Sequence, residues 1–348
     1  MKPYKKVLIN SLVNLGDVVL STSAAALLKK TDPEIQITML VRPFAREVVE
    51  NNPVVDQVLV FDYKAKQKSW KTMYDMLFVI KKEHFDLCIS LDRKLRPAIL
   101  TWLARIPVRL VPEKIFDNKK SRIDWLYTNV IPITYDFEHT LQAHNFQEVV
   151  RGFFRTEAYE KPAMGRPSAE NTARADKLLA ALPAGRRQIA LCVKGSFPLK
   201  TWPKQYFLQL MTRLEKEYAA AFFIVGGAAD SAYAEEFVKE SPVPVTNFCG
   251  KTSLKDLVPL FQKTDLLITV DTGAMHIAAT TEIPIVAMFG CGIPERWPPL
   301  TEKSRIVTVQ EPCAPCHIPP EACPSWPQPQ CQWKITPEMV FEKCREFL

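Results

Sequence analysis

Residues 265–297, DLLITVDTGAMHIAATTEIPIVAMFGCGIPERW, decide how the rest of the chain is read. Leu266 to Val270 is a short apolar run without a charge, the signature of a strand covered on both faces. Asp271-Thr272-Gly273 breaks the run, and Ala274 to Thr281 has helical spacing with small residues on its packing side. Pro284 ends that helix, and Ile285 to Phe289 is the next buried strand. A β-turn-α-β unit of this kind aims free backbone N–H groups and a positive helix end at one point. It is either a seat for an anion, such as the diphosphate of a nucleotide, or a plain crossover with Asp271 or Thr272 as helix N-cap.

Working outward, the same alternation fills both halves of the chain. Strands are expected at 7–13, 35–41, 57–61, 85–91 and 108–111, with helices at 18–30, 44–50, 70–83 and 97–104. The pattern blurs from Pro112 to Phe137, where Lys119, Lys120 and Arg122 lie, and 139–154 is an amphipathic helix. Glu160 to Ser168, with two prolines and a glycine, reads as the linker. Beyond it come strands at 188–193, 221–225 and 245–248, helices at 173–182, 203–218, 231–239 and 254–264, and a terminal helix at 336–348. The reading is α/β: two Rossmann-like, doubly wound domains facing across a cleft, over 1–164 and 165–335, with the terminal helix as a third piece.

With 348 residues, 47% hydrophobic and 24% charged, disorder and coiled coil are excluded. A net charge of +7 suits anionic ligands or an anionic membrane surface and does not argue for nucleic acid. Lys2, Lys5, Lys6 and the following apolar run imitate a signal peptide, but Asn10, Asn14 and Asp17 interrupt it. No stretch has the apolar length of a membrane span, so a soluble, cytoplasmic protein is expected.

Several residues stand where strands deliver chemistry. Asp17, beside Gly16 at the end of the first strand, is either a general base toward a hydroxyl or a helix N-cap. In Lys194 to Pro203 (KGSFPLKTWP), Gly195 allows close backbone approach, Ser196 offers a hydroxyl and Lys200 a point charge for phosphate. The segment is not a P-loop, and an ordinary solvated loop anchored by Trp202 accounts for it equally. Asp230 follows Gly226-Gly227 and is placed to meet a ribose, and His276 either touches a phosphate or sits satisfied in the core. Cys313, Cys316, Cys323 and Cys331, spaced C-x2-C-x6-C-x7-C with His317 beside the second, suit structural zinc, reduced thiols or a disulfide. The other five cysteines are scattered and read as core residues.

Taken together, the order of these motifs is more telling than any of them alone. Leu15-Gly16-Asp17-Val18-Val19 resembles the (S)xxGD(V/L) opening of the ADP-heptose:lipopolysaccharide heptosyltransferases, glycosyltransferase family 9. Lys200 to Pro203 resembles the K-x-W-P at that family's midpoint, and 271–279 (DTGAMHIAA) its D-[ST]-G-x-x-H-x-A-A signature. Phe289-Gly290, Arg296-Trp297 and the late cysteine-rich loop before Ile335-Thr336-Pro337 continue the likeness, which is strongest to the heptosyltransferase II branch. The resemblance implies a GT-B fold and inverting transfer with no metal or other cofactor. The implied donor is ADP-heptose, and the implied acceptor is the inner core growing on lipid A, met peripherally at the cytoplasmic face of the inner membrane. It also implies roles: Asp17 as acceptor base, Lys200 and Ser196 on the leaving diphosphate, and Asp230 on the adenosine ribose. Asp271, Thr272, Gly273, Ala274, Met275 and His276 hold the phosphates in the same reading. The chain departs from the pattern at Phe197-Pro198-Leu199 and Cys291-Gly292, both near the donor, which keeps open another nucleotide sugar, another acceptor or a binding protein without turnover. A dehydrogenase is disfavoured because no G-x-G-x-x-G follows the first strand.

Overall fold

The computed structural model describes residues 4–63, 69–114, 122–133, 139–316 and 318–348. The chain divides into two compact units, Met1–Arg166 and Pro167–Leu348. Among the described residues each unit holds one six-stranded sheet in which every pairing is parallel.

In the first unit the strands are β1 (Lys6–Asn10), β2 (Gln36–Val41), β3 (Gln57–Val60), β4 (Leu87–Ser90), β5 (Val108–Pro112) and β6 (Asn129–Ile131). Their order is β3-β2-β1-β4-β5-β6, so the winding reverses between β1 and β4, which pair with Ile9 opposite Ile89. The helices are α1 (Leu15–Thr31), α2 (Arg46–Val49), α3 (Ser69–Glu83), α4 (Leu95–Leu103) and α5 (Gln142–Phe154). Small residues let α1 and α5 approach closely: Ser21, Thr22 and Ser23 are fully buried and each hydroxyl bonds back to a carbonyl three residues earlier. The Ser23 hydroxyl also donates across to Ala143 O at 3.2 Å. The blurred stretch after Pro112 contains β6, an exposed edge strand absent from the sequence reading, while Lys119 and Lys120 lie outside the described residues.

The proline-rich stretch read as a linker is stitched to the first unit for most of its length. Ala163 N donates to Thr22 Oγ1, Gly165 N to Val48 O and Arg166 N to Asn51 O, at 2.9, 2.8 and 2.9 Å. Ser168, placed in the linker by the sequence reading, caps the next helix. Its hydroxyl accepts from Asn171 N, and the Asn171 side chain reaches back in a capping box.

The second unit runs α6 (Ala169–Leu179), β7 (Arg187–Cys192), α7 (Lys204–Tyr218), β8 (Ala220–Ile224), α8 (Ser231–Glu240), β9 (Val245–Asn247), α9 (Leu257–Gln262) and β10 (Leu266–Val270). It continues with α10 (Gly273–Ala279), β11 (Ile285–Phe289), β12 (Ser304–Thr308), α11 (Gln330–Trp333) and α12 (Pro337–Cys344). The order β12-β11-β10-β7-β8-β9 repeats the winding of the first sheet, with the reversal between β10 and β7. β10 and β11 have the bounds read from the sequence, and β12, half exposed at the edge, was not foreseen.

The terminal helix α12 belongs to this unit's core: Ile335, Val340, Phe341 and Cys344 are fully buried with Trp202, Phe207 and Phe222. Trp202 has no exposed surface, and its indole N–H donates to Ile335 O at 2.8 Å. Truncating so large a buried ring costs about 3–5 kcal/mol. Trp202→Ala is therefore expected to lower the unfolding free energy by about that amount in a denaturant titration, whereas Trp202→Phe should keep most of the packing and lose chiefly the hydrogen bond.

Candidate functional site

In open parallel sheets, ligands bind beyond the carboxyl ends of the strands where the winding reverses. In the second unit that point lies between β7 and β10, which pair with Cys192 opposite Thr269. The segment after β7 supplies Lys200, and the turn after β10 supplies Asp271. Their side chains meet at 2.5 Å between Nζ and Oδ2, with Asp271 8% exposed and Lys200 25% exposed. Two glycines make this convergence possible. A Cβ on Gly195 would lie 2.6 Å from Lys200 Cβ, and one on Gly292 would lie 2.7 Å from Asp271 Oδ2.

The pair is close enough for a strong ion contact, yet Asp271 Oδ2 has no partner in hydrogen-bond geometry. Two neighbours are equally orphaned: Thr272 Oγ1 and His276 Nδ1 are buried and make no hydrogen bond. Two orphaned polar atoms within five residues are costly in a finished core, and they suit a site whose polar ligand completes them.

Burial pushes His276 down to about 4, against a rise from Asp271 and a further lowering from Lys200. The imidazole is therefore neutral at neutral pH and acts as a hydrogen-bonding group, not a cation. Met275 is fully buried in the core, while Gly273 and Ala274 are partly exposed. α10 has seven residues and Thr272 makes no side-chain cap, so its dipole is small and individual donors matter more than the helix end assumed from sequence.

Asp230 stands after β8, where Oδ2 accepts from Gly227 N at 3.1 Å and Oδ1 pairs with Lys194 Nζ at 3.2 Å. Lys194, two residues past the end of β7, was not singled out in the sequence. Its position at a strand end was the available signal. Lys194, Gly195, Ser196, Tyr233, Trp326 and Trp333 border a cavity of about 500 Å³ whose walls do not include Lys200 or Asp271. The segment after β7 thus serves two surfaces, with Gly195 against Lys200 and Ser196 exposed at the cavity.

Cys313, Cys316 and Cys323 lie ahead of α11 and Cys331 lies within it, with Cys313 exposed and Cys331 buried. Among the described residues no group of three or more His, Cys, Asp or Glu side chains is placed to hold a metal ion, and His317 lies outside those residues. Three of the four thiols, those of Cys316, Cys323 and Cys331, are packed. Cys331 joins Leu199 and Cys291 in a buried cluster, with Phe197, Cys316, Ile318 and Cys323 packed against it. Burial pushes Cys291 up to about 12 and Cys331 up to about 11, so both are neutral thiols.

In the first unit, Asp17 is half-buried in the first turn of α1, and Asn14, not Asp17, occupies the N-cap. The reversal between β1 and β4 also carries a group that the sequence reading missed. Asp92, just past β4, is 4% exposed, accepts from Asn10 Nδ2 at 3.3 Å and pairs with Lys94 at 3.3 Å. Burial raises its pKa despite the lysine. Nothing local in Leu91-Asp92-Arg93 foretells this, because the burial comes from β1 and the helix beyond.

Residues 76–325 match glycosyltransferase family 9 (heptosyltransferase). The chain belongs to that family. It is accordingly a glycosyltransferase, and the paired sheets are the Rossmann-like units of the GT-B class. Lipooligosaccharide heptosyltransferase 2 of Haemophilus influenzae is 25% identical over 356 residues, covering 96% of each chain. A family 9 glycosyl transferase from Veillonella parvula superposes with a TM-score of 0.86 at 20% identity, covering 100% of this chain and 98% of its own. The Escherichia coli ADP-heptose lps heptosyltransferase II gives a TM-score of 0.78 at 20% identity, covering 99% and 98%.

The neutral His276 has a measurable signature. An unfolded imidazole takes its proton near pH 6.5, whereas the folded one resists until about 4. Stability contributed by the buried neutral ring is therefore present above pH 6.5, is lost as pH falls from 6.5 to about 4, and levels off below. The loss is about 3 kcal/mol. Unfolding free energies of the wild type and His276→Gln should diverge in slope through that window, and parallel curves would mean that folding leaves the imidazole's pKa unshifted.

Proposed function

We propose that this protein transfers a heptose from ADP-heptose to the inner core of lipopolysaccharide, with inversion and without a metal. The observation that carries the reading is the Lys200–Asp271 pair beside the orphaned Thr272 and His276 atoms, at the spacing of the D-T-G-x-x-H motif. The donor and acceptor classes are supported by the E. coli protein of like fold, an ADP-heptose lps heptosyltransferase, and by the H. influenzae lipooligosaccharide enzyme.

In this reading the first unit takes the acceptor and the second takes the nucleotide sugar. The acceptor hydroxyl oxygen attacks the anomeric carbon of the heptose, and its proton passes to the Asp17 carboxylate. The bond from the anomeric carbon to the diphosphate oxygen breaks with its electron pair, and ADP leaves. Lys200 meets the negative charge gathering on that oxygen, relieved of part of its interaction with Asp271 as the diphosphate arrives. Thr272 Oγ1 and His276 supply hydrogen bonds to the phosphates, Ser196 a further one, and Asp230 accepts from the ribose hydroxyls. The acceptor is lipid-linked, which places the reaction at the cytoplasmic face of the inner membrane. Among the described residues no helix is long and apolar enough to cross a membrane, so the contact in this reading is peripheral.

A second donor is kept in view by one observation: Gly292, in the segment that departs from the family pattern, packs directly on Asp271. Calorimetric titration with ADP, UDP, GDP and NAD in the presence of EDTA separates the readings. ADP alone should bind, and Lys200→Ala should weaken it at least tenfold. Preference for UDP or GDP would replace the donor. Asp17→Ala should lower turnover by about a thousandfold while leaving ADP affinity within about twofold; turnover at the wild-type rate would remove Asp17 as the base.

A further inference from the structure

The helix α3 (Ser69–Glu83) has two finished faces of opposite kind. Met76 and Ile80 are buried, and Met73 and Leu77 pack beside them against Phe61, Phe85 and Leu100. On the outer face, at a spacing of four, stand Trp70, Tyr74 and Phe78, exposed by 86%, 69% and 65%. The inner side already satisfies the sheet, so these three rings contribute nothing to the unit's own core.

Rings of roughly 150–250 Å² each, largely uncovered on one helix face, form a patch above the few hundred Å² that a monomer ordinarily shows. The charges around the stripe name its partner. Lys71, Lys81 and Lys82 are exposed on the same helix, whose two carboxylates are Asp75 and Glu83, the latter paired with Lys6 at 3.5 Å. Tryptophan and tyrosine prefer the headgroup layer of a bilayer, and flanking lysines extend their ammonium groups toward lipid phosphates while their stems stay on apolar surface. A helix with an aromatic face and lysines at its ends is built to lie in that layer, not to cross it. α4, which forms part of the same core cluster through Leu100, carries more of the same: Trp102 and Leu103 are exposed, and Trp102 meets the exposed Trp125 edge-on at 5.8 Å.

From these observations we infer that α3 is a membrane-docking surface for an anionic phospholipid bilayer. Trp70, Tyr74 and Phe78 enter the headgroup layer, and the lysines hold the lipid phosphates. The lipid-linked acceptor proposed above gives this surface its purpose, but the surface itself is argued from α3 alone.

Cosedimentation of the full chain with vesicles tests it without any acceptor. The protein should bind vesicles of phosphatidylethanolamine and phosphatidylglycerol at least tenfold more tightly than vesicles of phosphatidylcholine, and rising salt should release it. Each lysine near an anionic surface is worth about fivefold in partitioning. The triple variant Lys71→Glu, Lys81→Glu, Lys82→Glu should therefore bind at least a hundredfold more weakly, as should Trp70→Ser, Tyr74→Ser, Phe78→Ser. All six positions are exposed, so thermal unfolding should be unchanged in both variants. Equal binding to both vesicle types, or wild-type binding by either variant, would overturn the inference. So would sedimentation velocity showing that the aromatic variant merely dissociates a dimer, since the stripe would then belong to a second copy. ADP titration judges the transfer reading separately, so a failure of one leaves the other standing.

Discussion

A carboxylate that is 8% exposed at the mouth of a parallel sheet requires a cation, and Lys200 supplies it to Asp271. Removing either partner from a buried pair leaves the other charged and desolvated, which costs far more than the pair's net worth. The surrounding structure serves that contact. Gly195 lets the lysine stem fold against the strand end, and Gly292 lets the next loop pass over the carboxylate. The pair is also incomplete by design of its geometry, because Oδ2 lacks a hydrogen bond and its neighbours Thr272 and His276 are orphaned with it. The site thus rests on one ion contact, with the neighbouring Thr272 and His276 atoms left without hydrogen bonds.

The parts of the fold that read clearly from sequence were those whose burial is symmetrical. β10 and β11 are covered on both faces, so their apolar runs begin and end where the strands do. β6 and β12 are edge strands with exposed or half-exposed residues, and their mixed composition hides them among loops. The start of α6 was displaced because its capping box closes with Asn171 in place of the usual Glu or Gln. At the site, Lys200, Asp271 and His276 were each visible as residues beyond strand ends, but their mutual contact is a product of sheet order and cannot be read from spacing. Asp92 and Lys194 escaped for the same reason: burial in one case and pairing with Asp230 in the other come from neighbouring strands.

The cysteine-rich loop shows how a chemical signature can be spent on packing. The four clustered cysteines read from sequence as zinc ligands, free thiols or a disulfide, and in the structure Cys331 is buried against Leu199 and Cys291 while Cys316 N donates to Cys291 O at 3.0 Å. Gln332 Nε2 donates to Leu199 O at 3.2 Å from the same stretch. The loop is therefore a buttress beneath the segment that carries Lys200, and its small, polarizable side chains suit an irregular apolar gap.

One contact reaches further than its length suggests. Trp202 lies two residues beyond Lys200, yet its indole is bonded to Ile335, and Val340 and Phe341 close the same core. The segment that carries Lys200 is thus fixed only when residues made more than a hundred positions later have taken their place. During synthesis the described strands of the first unit are made well before that moment, whereas the core of the second lacks Ile335 and α12 until those residues have been added. A product cut short before Ile335 lacks both the carbonyl that takes the Trp202 indole N–H and the side chains that close the core around it.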